Sequence, residues 1–152
     1  MQDSYKNFGS LDDIPNGGRI LGLDMGSKTI GIAMCDSMQI IASAMETIKR
    51  KKFSIDVLHL QRIIDEHKIA GLVIGYPINM DGSEGSRCQS TKQFVKNLMK
   101  NFDIPMKLWD ERMSSMAVER AMLTADISRQ KRSKNIDKLA AAYILQGFLD
   151  SR

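Results

Sequence analysis

Arg19-Ile20-Leu21-Gly22-Leu23-Asp24-Met25-Gly26-Ser27-Lys28-Thr29-Ile30-Gly31-Ile32-Ala33-Met34 is the stretch whose reading decides the fold. Ile20, Leu21 and Leu23 lead up to Asp24, and Ile30, Ile32 and Met34 then alternate with the period of two of a β-strand. Two short strands therefore flank a tight turn, and Asp24 stands where the first strand ends. Gly26 and Gly31 carry no Cβ, so backbone can approach a neighbour or ligand there, and both can reach positive φ. Taken alone, an Asp-x-Gly hairpin is an ordinary turn capped by its acid. Whether Asp24 does more depends on the acids elsewhere in the chain.

Upstream, Met1 to Gly18 is polar, with Asp12, Asp13, Pro15, Asn16, Gly17 and Gly18, and has no sustained period. It reads as a flexible leader over 1–18, followed by one domain over 19–152. Downstream, Gln39 to Ile48 follows the turn signal Asp36-Ser37 and forms a third antiparallel strand. The run Lys49-Arg50-Lys51-Lys52 reads as a solvated strand end, with phosphate contact as the alternative. Ile55, Leu58, Ile63 and Ile64 then recur at helical spacing behind a Ser54 cap. His59 and His67, in or beside this helix, are surface or packing residues, because no partner ligand lies at usable spacing.

Ala70-Gly71-Leu72-Val73-Ile74-Gly75 is a continuous apolar run, as expected of a parallel strand buried on both faces. A turn-rich segment, Tyr76 to Ser86, should lie at its carboxyl end. A helix with Phe94, Val95, Leu98 and Met99 follows, then the strand Pro105 to Trp109, which stops at Asp110-Glu111-Arg112. Ser114 or Ser115 can cap a helix carrying Ala117, Val118, Ala121 and Met122. Ser128 to Lys134 reads as a basic loop before a last helix from about Ile136 to Leu149. The expected fold class is α/β: a mixed five-stranded sheet, three antiparallel strands then parallel ones, flanked by helices.

A chain of 152 residues with 43% hydrophobic and 26% charged residues suits one globular domain with a sizeable core. The net charge of +4 favours anionic partners. Cys35 and Cys88 stand alone, so they support neither a disulfide framework nor a zinc site, and a reducing cytoplasm is the simplest setting. No apolar run approaches a membrane span, and the N-terminus lacks the pattern of a signal peptide. No membrane partner is expected.

Asp110-Glu111-Arg112 follows the end of a central strand, where open α/β sheets place their sites, so a second acid lies at the sheet rim. Asp137 shares a helical stripe with Ala140, Ala141, Ile144, Leu145 and Phe148, which turns its carboxylate toward the sheet. A charge there is costly unless something pairs with it; the alternative is a first-turn acid favoured by the helix macrodipole. Three carboxylates without a Cys or His constellation suit Mg²⁺ or Mn²⁺, hard cations that prefer oxygen ligands. Two such ions can activate water and stabilise the leaving oxygen in phosphodiester hydrolysis. Arg129, Lys131, Arg132 and Lys134 form the best candidate patch for a nucleic-acid backbone, with a solvated loop as the alternative; Lys28 and Arg87 are weaker candidates.

Leu23 to Gly31, Gly75 to Gly85, Trp109 to Ser114 and Ile136 to Ala141 together resemble the motifs of the YqgF (RuvX) family, over Arg19 to Asp150. The resemblance implies a ribonuclease H-like fold and a nuclease that trims the 5′ end of precursor 16S ribosomal RNA; an older family name is Holliday junction resolvase. It implies that Asp24, Glu111 and Asp137 are metal-binding catalytic acids, with Arg112 and Lys28 in support. Tyr76 and Ile78 stand where the family loop often has leucines, and the leader is longer than usual. The expected partner is nucleic acid, RNA ahead of DNA, within a pre-ribosomal particle, and the protein is expected to be a monomer or homodimer. Other readings are a resolvase of branched DNA, a non-catalytic RNA-binding or ribosome-assembly module, and the phosphate-binding turn of actin-like and sugar-kinase ATPases, which need a second domain.

Overall fold

The computed structural model describes residues 14–79, 81–111 and 129–152, with 129–136 by backbone alone. The quoted hairpin forms as its alternation dictates: β1 (Arg19–Met25) and β2 (Thr29–Cys35) pair antiparallel, with Asp24 opposite Gly31. The third strand, β3 (Ala42–Lys49), pairs antiparallel with β2. It begins later than Gln39 because the Asp36 carboxylate accepts the N–H groups of Met38, Ile40 and Ile41, and Gln39 adopts a φ of 59°. That side-chain turn occupies backbone groups which a longer strand would have paired.

β4 (Ile69–Tyr76) pairs parallel with β1, and β5 (Met106–Asp110) pairs parallel with β4. The sheet order is therefore β3-β2-β1-β4-β5, the mixed five-stranded sheet expected from the sequence. The parallel connections run through α1 (Phe53–His67) and α2 (Ser86–Met99), and α3 (Arg129–Asp150) packs on the sheet as well. The expected Ser114 or Ser115 cap and the helix over Ala117 to Met122 fall outside the described residues.

Two apolar layers sandwich the sheet. Leu21, Leu23, Ile30, Ile32 and Ile74 meet α1 and α2 on one face; Ile20, Ala33 and Val73 meet Ala141, Ile144, Leu145 and Phe148 of α3 on the other. In α1 the buried stripe is Val57, Leu60, Ile63 and Ile64, whereas Ile55 and Leu58 are exposed. Of the expected stripe, Ile63 and Ile64 are buried, while at 100° per residue Ile55 and Leu58 fall away from the face set by Val57, Leu60 and Ile64. Ser54 does not cap this helix. Lys52 holds the cap position without a side-chain bond, and the buried Asp56 carboxylate accepts the Lys51 N–H at 3.1 Å.

Of the leader expected over 1–18, residues 1–13 fall outside the described residues, and the chain is anchored from Ile14. Ile14 is 1% exposed in the α3-side core, its carbonyl accepts Arg152 Nη2 at 2.6 Å, and Gln39 Nε2 donates to the Pro15 carbonyl. Among the described residues no helix is long and apolar enough to cross a membrane.

Candidate active site

Strand alternation sets the direction of Asp24. Leu21, Leu23 and Met25 belong to the α1/α2 core, so the residue between the last two points to the α3 side. Across the β1–β2 pair lies Gly31, and a Cβ there would overlap the backbone carbonyl of Asp137. The missing side chain is what lets α3 come down onto the sheet at Asp137. The Asp137 carboxylate accepts a hydrogen bond from the Thr29 hydroxyl at 2.6 Å.

Glu111 arrives from the opposite side. Its N–H donates to the Tyr76 carbonyl at 3.3 Å, extending the β4–β5 pairing by one residue, and its carboxylate lies over Gly75, where a Cβ would overlap Oε2. Glu111 thus turns back across β4 toward β1. Behind it, Trp109 packs edge-on against Phe148 of α3, with ring centroids 5.8 Å apart. From the far side of the sheet, Arg87 of α2 reaches round the rim, with Nη2 3.4 Å from the Met25 carbonyl.

The electrostatics show that these groups share one neighbourhood. Burial, and secondly the charge of Asp137, push the Asp24 carboxyl up to about 6, against the opposing pull of Arg87. Burial, and secondly Asp24, push Glu111 up to about 7, again opposed by Arg87 and reinforced by Asp110. Like charges gathered out of water resist ionisation, and a divalent cation would relieve both the burial and the repulsion. The donor set, carboxylate oxygen throughout, fits a hard cation. As it stands, no group of three or more His, Cys, Asp and Glu side chains among the described residues is gathered closely enough to hold an ion; the Thr29 hydroxyl engages the Asp137 carboxylate.

Lys28 is exposed in the turn after Asp24. Arg112 falls outside the described residues. Arg129, Lys131, Arg132 and Lys134 do not form the expected loop: their backbone is the start of α3, and their side chains are not described. Arg, Gln and Lys are good helix formers, and no Gly or Pro interrupts the run, so the helix extends upstream through it. This extension places Asp137 well beyond the first turn, which removes the macrodipole as the reason for an acid there. Sequence reasoning missed Thr29, which holds Asp137, and Gly75, which makes room for Glu111. Gly75 had a visible signal, a glycine closing an otherwise apolar strand.

Residues 18–151 match the family model described as RuvX: Holliday junction resolvase. The chain belongs to the RuvX family. Within it, a protein of Rhodobacter capsulatus named as a pre-16S rRNA nuclease is 51% identical over 137 residues, 90% of this chain and 86% of the relative. One of Zymomonas mobilis with the same name is 52% identical over 138 residues, 91% of this chain and 84% of the relative. Solved structures show that the RuvX-family fold here is that of the resolvases. The Thermus thermophilus RuvC structure in complex with a Holliday junction superposes with a TM-score of 0.55 at 10% identity, covering 88% of this chain and 95% of RuvC. The Fowlpox virus resolvase in complex with junction DNA gives 0.52 at 12% identity, covering 88% and 97%. These are ribonuclease H-like proteins, and the expected fold class holds.

Proposed function

We propose that this protein is a metal-dependent endonuclease that trims the 5′ end of precursor 16S ribosomal RNA, with Asp24, Glu111 and Asp137 as the acids that hold Mg²⁺ or Mn²⁺. A member of a nuclease family, it is a hydrolase acting on phosphodiester bonds and a nucleic-acid-binding protein. RNA as the substrate is supported by the naming of its half-identical relatives. The observation that carries the site is the convergence of Asp24 and Glu111, each partly buried, each pushed up in pKa, and each tempered by the same Arg87.

The chain's own groups have separable tasks. Asp24 and Glu111 supply carboxylate oxygens from two strand ends, a rigid base, and Asp137 supplies a third from α3 once it gives up the Thr29 hydroxyl. A divalent cation held by these acids would neutralise the carboxylates and would lower the pKa of a water molecule toward neutrality. Arg87 balances excess negative charge when the site is empty and can pair with a substrate phosphate. The protein would act in the cytoplasm on a pre-ribosomal particle, as a monomer or homodimer.

The test is cleavage of precursor 16S RNA and of a four-way DNA junction, side by side, with Mg²⁺ and with Mn²⁺, by the wild type and by Asp24→Asn. The expected result is divalent-dependent cleavage of the RNA, abolished in Asp24→Asn. Junction cleavage without RNA cleavage would move the reading to the resolvase activity in the family's description. Equal cleavage by both proteins would overturn the site, and RNA binding without cleavage at any metal concentration would leave a non-catalytic module.

A further inference from the structure

Beside the Asp24 turn opens a cleft of about 600 Å³. Lys28 from the turn, Arg50 just past β3 and Arg87 from α2 line it, with Ser27, Ser90 and Asp137. Arg50 is the fixed member of this set. Its N–H donates to the Lys28 carbonyl at 2.8 Å, its Nη1 donates to the Gly26 carbonyl at 2.8 Å, and its guanidinium stands 5.8 Å from the centroid of the Phe94 ring. Among the described residues no carboxylate pairs with it. A guanidinium held by a ring and one carbonyl still presents other N–H donors of its fork.

Arg87 already opposes the charge of Asp24 and Glu111, and among the described residues Asp137 is the one acid that lines the cleft with Arg50 and Lys28. Converging cations of this kind repel one another unless an anion sits between them. Among the described residues no aromatic ring lines the cleft for a base to stack on, and its hydroxyls and N–H donors suit phosphate oxygens. Asp137 belongs both to this cleft and to the acidic neighbourhood, so the two are adjacent along any strand that crosses the site.

We propose that this cleft is a phosphate subsite, which holds the backbone phosphate next to the scissile one in a single strand of nucleic acid, with Arg50 as the fixed contact and Lys28 as the adjustable one. It rests on the nuclease reading for which phosphate is held; that a phosphate is held stands on the cleft itself. The contact is to the backbone, so RNA and DNA strands should use it equally.

The test is equilibrium binding of a fluorescent single-stranded RNA, and of the matching DNA, of about 12 nucleotides, in EDTA and over a series of salt concentrations. Arg50→Gln should weaken binding about tenfold and lower the slope of log affinity against log salt by about 0.7, the loss of one phosphate contact. Ser90→Glu, which puts a carboxylate into the cleft and leaves the Arg50–Gly26 bond intact, should weaken binding similarly, and Arg50→Lys should keep the slope. An unchanged slope in Arg50→Gln, or wild-type binding by Ser90→Glu, would overturn the subsite. Wild-type protein that binds with this slope yet cleaves nothing with Mg²⁺ would remove the nuclease reading alone. Cleavage with an unchanged slope would remove the subsite alone.

Discussion

The two faces of the sheet are built from the same strands and to opposite ends. On the α1/α2 face, β1 and β4 present Leu21, Leu23, Leu72, Ile74 and Tyr76, all essentially without exposure, and the helices fill the volume above with Val57, Leu60, Phe94 and Leu98. Toward the strand ends of the α3 face, β1, β2 and β4 instead present Asp24, Gly31 and Gly75. One face gains stability by burying large side chains; the other gives up side-chain volume so that a helix backbone and a glutamate can approach the strands. A nearly unbroken apolar face therefore carries a face that tolerates buried charge. The difference teaches that the acids are sustained by the opposite layer, since their own electrostatics work against folding.

This contrast can be broken most decisively at Glu111. Glu111→Gln should reduce metal-dependent RNA cleavage by about a thousandfold or more. Its melting temperature, measured in EDTA at neutral pH, should stay level or rise, because a neutral amide removes a repelled, buried charge. A fall in stability would mean that the carboxylate is structural. On the other face the pattern should invert. Leu60→Ala, a fully buried position in α1, should cost about 2–5 kcal/mol in chemical denaturation, yet the folded protein should retain cleavage per molecule.

Gly31→Ala should combine both effects. The added methyl meets the α3 backbone at Asp137, which cannot rotate away, so a loss of about 1–3 kcal/mol is expected together with reduced activity. Wild-type behaviour in both assays would show that α3 can stand off the sheet without consequence.

A further contrast lies in pH. The folded protein keeps protons on Asp24 and Glu111 up to about 6 and about 7, whereas the unfolded chain releases them near 3.8 and 4.5. The folded state binds more protons in that window, so these two groups make the protein more stable as pH falls through it. Thermal melts in EDTA should show the wild type gaining on Asp24→Asn/Glu111→Gln as pH drops from above 7, and Mg²⁺ should diminish that gain. A gain in the opposite direction would contradict the raised values.

How much was legible varied by residue. Asp24 at a strand end was readable from alternation alone, and the order of four motifs identified the family. The inward direction of Asp137 was readable from its stripe, but its place within a longer helix was not, because Ser128 to Lys134 looks like a loop by charge and like a helix by propensity. In α1, Ile63 and Ile64 are buried as their spacing suggests, but Ile55 and Leu58 are as apolar as the buried Val57 and Leu60, and only packing shows which of these the sheet covers. Gly31 was expected to offer close approach or positive φ. The structure uses the first, against Asp137, and positive φ among the described glycines occurs at Gly17, Gly18 and Gly82.

The sequence by itself determined the strand alternation, the α/β class and the family, because these depend on local period and residue chemistry. Only the tertiary structure decided that Glu111 folds back over Gly75, that Thr29 engages Asp137, that Arg87 serves the acids from the opposite layer and that Arg50 faces a cleft. Each of those relations joins residues distant in the chain, and distance in space is set by how the layers pack.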